Sequence, residues 1–234
     1  MFTRDPHLRP DQVAALEGFC TWICDVAQKR RKATSQDVHL MYCRLKEDNI
    51  SEYLKPRAFQ LLLDLFRTRT RQSDEWLNKV PGWVVSILEE RRAAGATMST
   101  EDYCCLLEIF SMVPEREDEV LKLLADSSDS LRDKPDIEGI ETMQKLFRAT
   151  ISGYSRCFNV RGVTEVTKRV ADGVQELTTA GMPELARRLE ADMIMWEMVM
   201  RLYSTQRMRV EMVKLWVQFI SKGIIPSLTI QRLV

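Results

Sequence analysis

The sequence predicts an all-α fold, an α-solenoid of about five stacked helix-turn-helix hairpins. Apolar residues recur at i, i+3, i+4 and i+7 along most of the chain, which is the spacing of one buried helix face. The same face, followed by a second helix and a glycine, returns in matching register at several points. No stretch shows the alternation of apolar and polar residues expected of a half-buried strand. Because one hairpin cannot bury its apolar face alone, successive hairpins are expected to stack.

The clearest hairpin occupies residues 193–227. Its two helices carry matching apolar faces, formed by Trp196, Val199, Met200 and Tyr203 and then by Met212, Leu215, Trp216 and Phe219. Gly223 suits the left-handed position that follows a helix, and Pro226 prevents the helix from resuming. The sequence therefore predicts both the faces and the end of this hairpin.

The first two hairpins are predicted at 12–56 and 57–99. In the first, Ser35 is a suitable N-cap for the second helix. In the second, the opening face of the last hairpin returns as Phe59, Leu62, Leu63 and Phe66. Pro81 suits the first turn of the helix that follows, because proline lacks only a hydrogen bond that this position does not make.

The third and fourth hairpins are predicted at 100–136 and 137–192. Their first helices are marked by Tyr103, Leu106, Leu107 and Phe110 and by Ile140, Met143 and Phe147. The second helix of the third hairpin is expected to start at Pro114 and to give way to an Asp/Ser-rich segment at 126–134, a candidate flexible joint. One continuous solenoid results, with an N-terminal extension at 1–11, three hairpins at 12–136, and two hairpins with a C-terminal tail at 137–234.

The bulk charge excludes nucleic-acid binding by an overall basic surface. The 234 residues include 34 basic and 34 acidic side chains, so any such role must rest on local patches. No apolar run approaches the roughly 20 residues that span a bilayer, and no membrane partner is expected. The first residues have neither the apolar core nor the amphipathic pattern of a targeting segment, so no presequence is visible.

The sequence predicts no enzyme activity, no cofactor and no small-molecule substrate. It has no glycine-rich phosphate loop and no nucleophile elbow, and its two histidines leave little beyond carboxylates for acid–base chemistry. A zinc site is a weak alternative, since two pairs of ligand-type residues lie four apart on neighbouring helices: Cys20 with Cys24, and His39 with Cys43. Buried thiols are the favoured interpretation of these cysteines, so no metal is predicted.

Basic residues gather in or beside the turn after the first helix in four of the five hairpins. These candidate contacts to an RNA backbone are Lys29, Arg30, Arg31, Lys32, Arg67, Arg69, Arg71, Arg156, Arg161, Arg207 and Arg209. If the hairpins stack, the turns form a basic edge suited to phosphates. The alternative is that cations favour the C-terminal ends of helices, where the macrodipole is negative. The charge pattern leaves both explanations open.

Residues 193–227 closely resemble a pentatricopeptide repeat, which has an aromatic residue near the start of its first helix and Gly-x-x-Pro after its second. In that family each repeat reads one RNA base, through the residue after the aromatic and the last residue of the motif. Carried over, the first reader position falls on Gln60, Cys104, Glu141 and Glu197, and the second on Ser99, Asp136 and Ser227. The family usually has Asn, Ser or Thr at the first position. A code of one base per repeat is therefore not expected here.

The resemblance implies a mitochondrial, non-catalytic, RNA-associated protein. Such a protein would be a subunit of a ribonucleoprotein assembly, either a ribosome or an RNA-processing complex. Its partners would be structured, guide or ribosomal RNA and neighbouring protein subunits. The alternative is a pure protein–protein scaffold of the tetratricopeptide-like type without RNA binding.

Overall fold

A computed structural model describes residues 1–3, 5–69, 79–93, 97–132 and 136–233. The regular secondary structure of these residues is helical. The all-α prediction is confirmed. Within these ranges the only extended pairing is an isolated bridge between Phe2 and Leu54. None of the described helices is both long enough and apolar enough to cross a membrane.

The helices come in pairs that follow the predicted hairpins. The pairs are α1 (Pro10–Ala27) with α2 (Ser35–Glu47), α3 (Pro56–Arg69) with α4 (Val80–Ala93), α5 (Thr100–Ser111) with α6 (Glu117–Arg132), α7 (Ile137–Arg156) with α8 (Val160–Thr179), and α10 (Met193–Thr205) with α11 (Arg209–Ser221). A short helix follows each of the last two pairs, α9 (Pro183–Glu190) before α10 and α12 (Leu228–Gln231) after α11. A single 3-10 turn, Ser51–Tyr53, joins α2 to α3.

The chain divides into two compact units, Met1–Ile109 and Phe110–Val234. In the first unit, α3 packs against both α1 and α2, and its predicted face residues Leu62, Leu63 and Phe66 are fully buried. In the second unit, α7 packs against α8, α9 and α10. The i, i+3, i+4, i+7 stripes therefore form the cores of both units.

The third hairpin differs from its prediction. Its second helix begins at Glu117 rather than Pro114, because Glu115 has a left-handed backbone (φ 64°) that a helix cannot include. The helix then runs to Arg132, so the expected joint at 126–134 is helical as far as the structure describes it. Burial of Val120 and Leu124 anchors this helix, and the Ser127 hydroxyl donates to the Leu124 carbonyl rather than breaking it. The division between the two units falls inside α5.

Candidate nucleic-acid interface

The turns after α1, α7 and α10 share one geometry. In each, the residue after the helix cap is left-handed although it is not glycine: Lys29 (φ 59°), Phe158 (φ 57°) and Arg207 (φ 57°). The next backbone N–H donates to the carbonyl five residues earlier, at 2.8 Å after α1, 2.9 Å after α7 and 2.8 Å after α10. This pattern is the Schellman motif, which satisfies the last carbonyls of a helix. The same motif ends α8 and α11 at Gly181 (φ 76°) and Gly223 (φ 67°), as the sequence predicts for Gly223.

The first basic cluster, Lys29 to Lys32, lies entirely in the exposed turn after α1. Its closest ion pair in the described part of the chain joins Arg30 Nη1 to Asp25 Oδ1 at 4.0 Å, at the limit of such a contact. The cluster follows the C-terminal end of a helix, where the macrodipole already favours cations. Position alone therefore explains it without a ligand.

In the second basic cluster, Arg67 has two acidic partners within the first unit. Its guanidinium pairs with Asp64 at 3.1 Å and approaches Glu108 of α5 at 3.5 Å. The Glu108 side chain is only 5% exposed, so Arg67 compensates a buried charge within the first unit. This role competes with phosphate binding. Arg69 is the last residue of α3, and its side chain, like the whole of Arg71, lies outside the described residues.

The four candidate basic residues of the second unit lie in or beside two equivalent interhelical turns. Arg156 ends α7 and is half-buried, with Nη1 4.0 Å from the sulfur of Met112. Arg161 is the second residue of α8 and is exposed. Arg207 and Arg209 flank the turn between α10 and α11, and both are exposed. They line an open cavity of about 580 Å³ together with Ser204, Met212, Val213 and Leu233.

Arg161 and Arg209 lie at the N-terminal ends of their helices, where the helix macrodipole does not stabilise a cation. Each is in the first turn of a helix, where the macrodipole is positive and a cation is unfavourable. The first turn of α8 has no acidic residue, and that of α11 has only Glu211. The preference of cations for helix C-termini therefore does not explain these two arginines, whereas an anionic ligand would stabilise them.

The seven reader positions mostly have intramolecular roles. The second-position residues Ser99, Asp136 and Ser227 each accept a backbone N–H from the first turn of the next helix, at 3.2, 2.7 and 3.3 Å. They act as helix N-caps. At the first position, Glu141 is paired with Arg188 and Glu197 with Arg201. Gln60 and Cys104 are half-buried. The N-caps explain why small polar residues recur at the second position without reference to a base.

The four residues of the weak zinc alternative do not meet. Cys20 is buried in the core of the first unit, where desolvation raises the pKa of its thiol. The Cys24 sulfur contacts the sulfur of Met1 at 3.4 Å. His39 and Cys43 approach each other at 3.4 Å, but the imidazole stacks in parallel on Trp83, with ring centroids 4.1 Å apart. Among the described residues no group of three or more His, Cys, Asp or Glu side chains could hold a metal ion.

A polar network missed by sequence reasoning lies in a groove of about 510 Å³ in the first unit. Tyr42 Oη donates to Glu90 at 2.7 Å, and Lys46 pairs with the same carboxylate. Burial would raise the pKa of Glu90, but the hydrogen bonds from Lys46 and Tyr42 outweigh it and hold that pKa below its usual value. The three side chains satisfy one another's hydrogen bonds. Glu90 lies 44 residues from Lys46 and 48 residues from Tyr42 in the sequence. No local sequence pattern could have predicted their meeting.

Comparison with known proteins does not assign a family. No protein-family model matches the sequence, and no curated protein matches it significantly. The case for function therefore rests on the paired helices, the shared turn geometry and the placement of the basic side chains.

Proposed function

We propose that the protein is a non-catalytic helical-repeat protein that binds the phosphate backbone of RNA through its basic interhelical turns. One observation carries the proposal: Arg161 and Arg209 are exposed cations in the first turns of α8 and α11, where the macrodipole disfavours a cation and an anionic ligand would offset that cost. Arg207 adds a third exposed cation beside Arg209. Two equivalent turns in one unit thus present exposed positive charge, the sign that a phosphate backbone requires.

The helical pairs support a repeat architecture. Among the described residues five pairs follow one another in chain order, and three of their first helices end in the same Schellman turn with a left-handed residue that is not glycine. We infer that the hairpins stack as an α-solenoid, because each presents an apolar face that a neighbouring hairpin can cover. Binding of this kind is independent of sequence, since the contacts go to phosphates and not to base edges.

The resemblance of residues 193–227 to a pentatricopeptide repeat supports a cellular location and an assembly in which this function would operate. Proteins of that family are organellar, so we propose a subunit of a mitochondrial ribonucleoprotein assembly, either a ribosome or an RNA-processing complex. In such an assembly the turns would contact structured or guide RNA, and other faces would contact protein subunits. Two of the reader positions are glutamates in ion pairs, and others cap helices, so they are poorly suited to reading bases. Contact with the RNA backbone is therefore favoured over a base code.

A protein–protein scaffold without RNA binding is the second candidate. It is favoured by one observation, the exposed apolar face of α11, which carries Val210, Val213, Val217 and Ile220. Such a face is typical of a protein contact site. The two candidates differ in whether the basic turns have a ligand.

The test is RNA binding by a variant that neutralises the turns of the second unit. We expect Arg161→Gln/Arg207→Gln/Arg209→Gln to weaken binding of a mixed-sequence RNA by about tenfold or more at low salt. The matched control is Lys122→Gln/Lys168→Gln/Arg201→Gln, which removes the same charge from helix surfaces away from the turns. Equal weakening by both variants would contradict a local site, and no RNA binding by the wild-type protein would leave the scaffold function.

A further inference from the structure

The outer face of α11 carries an unpartnered apolar stripe. Val210, Val213, Val217 and Ile220 are 61, 52, 58 and 60% exposed. Their 3-4-3 spacing is that of the a and d positions of a heptad, so the four side chains lie in one line along the helix. β-Branched residues at such positions are rigid and suited to packing against another helix.

The equivalent face of other second helices in this chain is not apolar. With Gly181 aligned on Gly223, the same four positions of α8 are Lys168, Ala171, Gln175 and Thr178, all exposed. In the sequence register of the second hairpin, the corresponding positions of α4 are Gly82, Val85, Glu89 and Arg92. An apolar outer face is therefore a property of α11 and not of the repeat.

The other elements of the second unit leave the stripe exposed. The opposite face of α11 is already in the core through Met212, Leu215 and Phe219, and the Phe219 ring meets Trp196 edge-on at 5.7 Å. The C-terminal helix α12 packs on α10 through the fully buried Ile230 and leaves the stripe exposed. The stripe is thus a fixed surface of the second unit.

The charges beside the stripe indicate what covers it. On a helical wheel the flanking positions are Arg209 and Trp216 on one side and Lys214 and Ser221 on the other, so α11 itself places no carboxylate at these four positions. Glu190 and Glu211 share a cavity with Lys214 on the side away from the stripe. Both cations are exposed. A second copy of this chain would place these cations against one another, which is unfavourable at the flanks of a helix pair. Acidic flanks on a different chain would be complementary.

We propose that this stripe is the docking site of an amphipathic helix from a partner protein, one whose apolar a and d face is bordered by Asp or Glu. The 13 residues of α11 span about 20 Å, which matches roughly two heptads of a partner helix. The cavity beside Val213, with Arg207 and Arg209 at its edge, accepts an acidic side chain at one end of that helix. The site goes beyond the proposed RNA binding: it shares Arg207 and Arg209 with that interface, but its apolar stripe has no part in it.

The experiment measures binding of two synthetic helical peptides to the full chain by fluorescence anisotropy, without RNA. Both peptides contain about three heptads with Leu at a and d; one has Glu at e and g, and the other has Lys there. We expect the Glu peptide to bind at least tenfold more tightly than the Lys peptide. Val213→Glu/Val217→Glu should weaken that binding by at least tenfold, whereas Ala171→Glu/Gln175→Glu on the matched face of α8 should leave it unchanged.

A charge exchange provides the decisive arm. Arg209→Glu/Lys214→Glu should reverse the preference, so that the Lys peptide binds more tightly. Equal binding of the two peptides, or binding of neither, would overturn the proposal. It would also be overturned by sedimentation showing a dimer that Val213→Glu/Val217→Glu dissociates, which would assign the stripe to a second copy. Binding to phosphatidylserine vesicles that the same variant abolishes would instead assign it to a lipid surface.

Discussion

Nε of Arg148 lies 2.9 and 2.7 Å from the two carboxylate oxygens of Asp192, whose side chain is only 1% exposed. The same carboxylate accepts the backbone N–H of Met195 at 3.2 Å and so caps α10. One side chain therefore joins the first helix of the fourth hairpin to the start of the fifth. The first unit repeats the device, since Arg91 pairs at 2.8 Å with Asp102, another buried carboxylate in the first turn of a helix. Buried Arg–Asp pairs thus connect consecutive hairpins in each unit.

Removal of Arg148 is expected to destabilise the second unit strongly. Arg148→Met leaves the Asp192 charge buried without its partner, and we expect a loss of about 3 kcal/mol in the free energy of unfolding. Urea denaturation measures it. The control is Arg201→Met, which breaks an exposed pair with Glu197 on one helix and should cost about 0.5 kcal/mol or less. Equal losses in the two variants would contradict a connecting role for Asp192.

Gly162 is the site where the packing of α7 on α8 leaves no room for a methyl group. A Cβ there would lie 2.6 Å from the ring of Tyr154, which is buried. We expect Gly162→Ala to destabilise the protein by about 1–3 kcal/mol through overpacking. Gly18→Ala is the matched change, in an exposed part of α1 with no atom within 4 Å of the new methyl. It should stabilise the protein by about 0.5–1 kcal/mol, as alanine does in a helix.

Substitutions at the left-handed residues Glu115 and Gly223 should have opposite effects on stability. Glu115 is exposed and left-handed, with φ 64°, so Glu115→Gly should relieve backbone strain and stabilise the protein by about 1 kcal/mol. Gly223 has φ 67°, and Gly223→Ala should cost about the same. Thermal unfolding measures both. A destabilised Glu115→Gly variant would show that the glutamate side chain has a role that outweighs its backbone.

His39 predicts a dependence of stability on pH. Burial, helped by the nearby Lys46, lowers the pKa of His39 below its ordinary value of 6.5. Between the folded and the ordinary pKa the unfolded chain binds more protons, so the stability present above pH 6.5 is lost as the pH falls. His39→Phe keeps a ring to stack on Trp83 but cannot titrate, so its stability should fall less on acidification. An NMR titration that gives His39 a pKa above 6.5 would contradict this.

The helical pairs could be predicted because each one is specified locally. The face of Phe59, Leu62, Leu63 and Phe66 and the cap at Gly223 need only their own neighbours in sequence. Periodicity and capping signals act within a few residues, and the faces and the Gly223 cap are confirmed. The predicted N-cap of α2 is wrong by one residue, because Thr34 and not Ser35 accepts the backbone N–H of Asp37.

The site could be predicted only in part, because its chemistry depends on distant partners. The approach of Arg67 to Glu108 could not be predicted, because the two residues lie 41 positions apart in the chain. The helix at 126–132 could not be predicted from composition, because its Asp and Ser residues are typical of loops although helices tolerate them. The sequence of α11 has two apolar stripes of helical spacing on opposite faces, so periodicity alone does not determine which one is buried.

The central claim is that the turns at Arg161 and at Arg207 and Arg209 bind phosphate. The most direct measurement is the slope of log K against log salt concentration for a single-stranded RNA, in the wild-type protein and in Arg161→Gln/Arg207→Gln/Arg209→Gln. Each lost phosphate contact should reduce the slope by about 0.7, so we expect a reduction of about 2 in the triple variant. A wild-type slope near zero, or the same slope in both proteins, would contradict the claim.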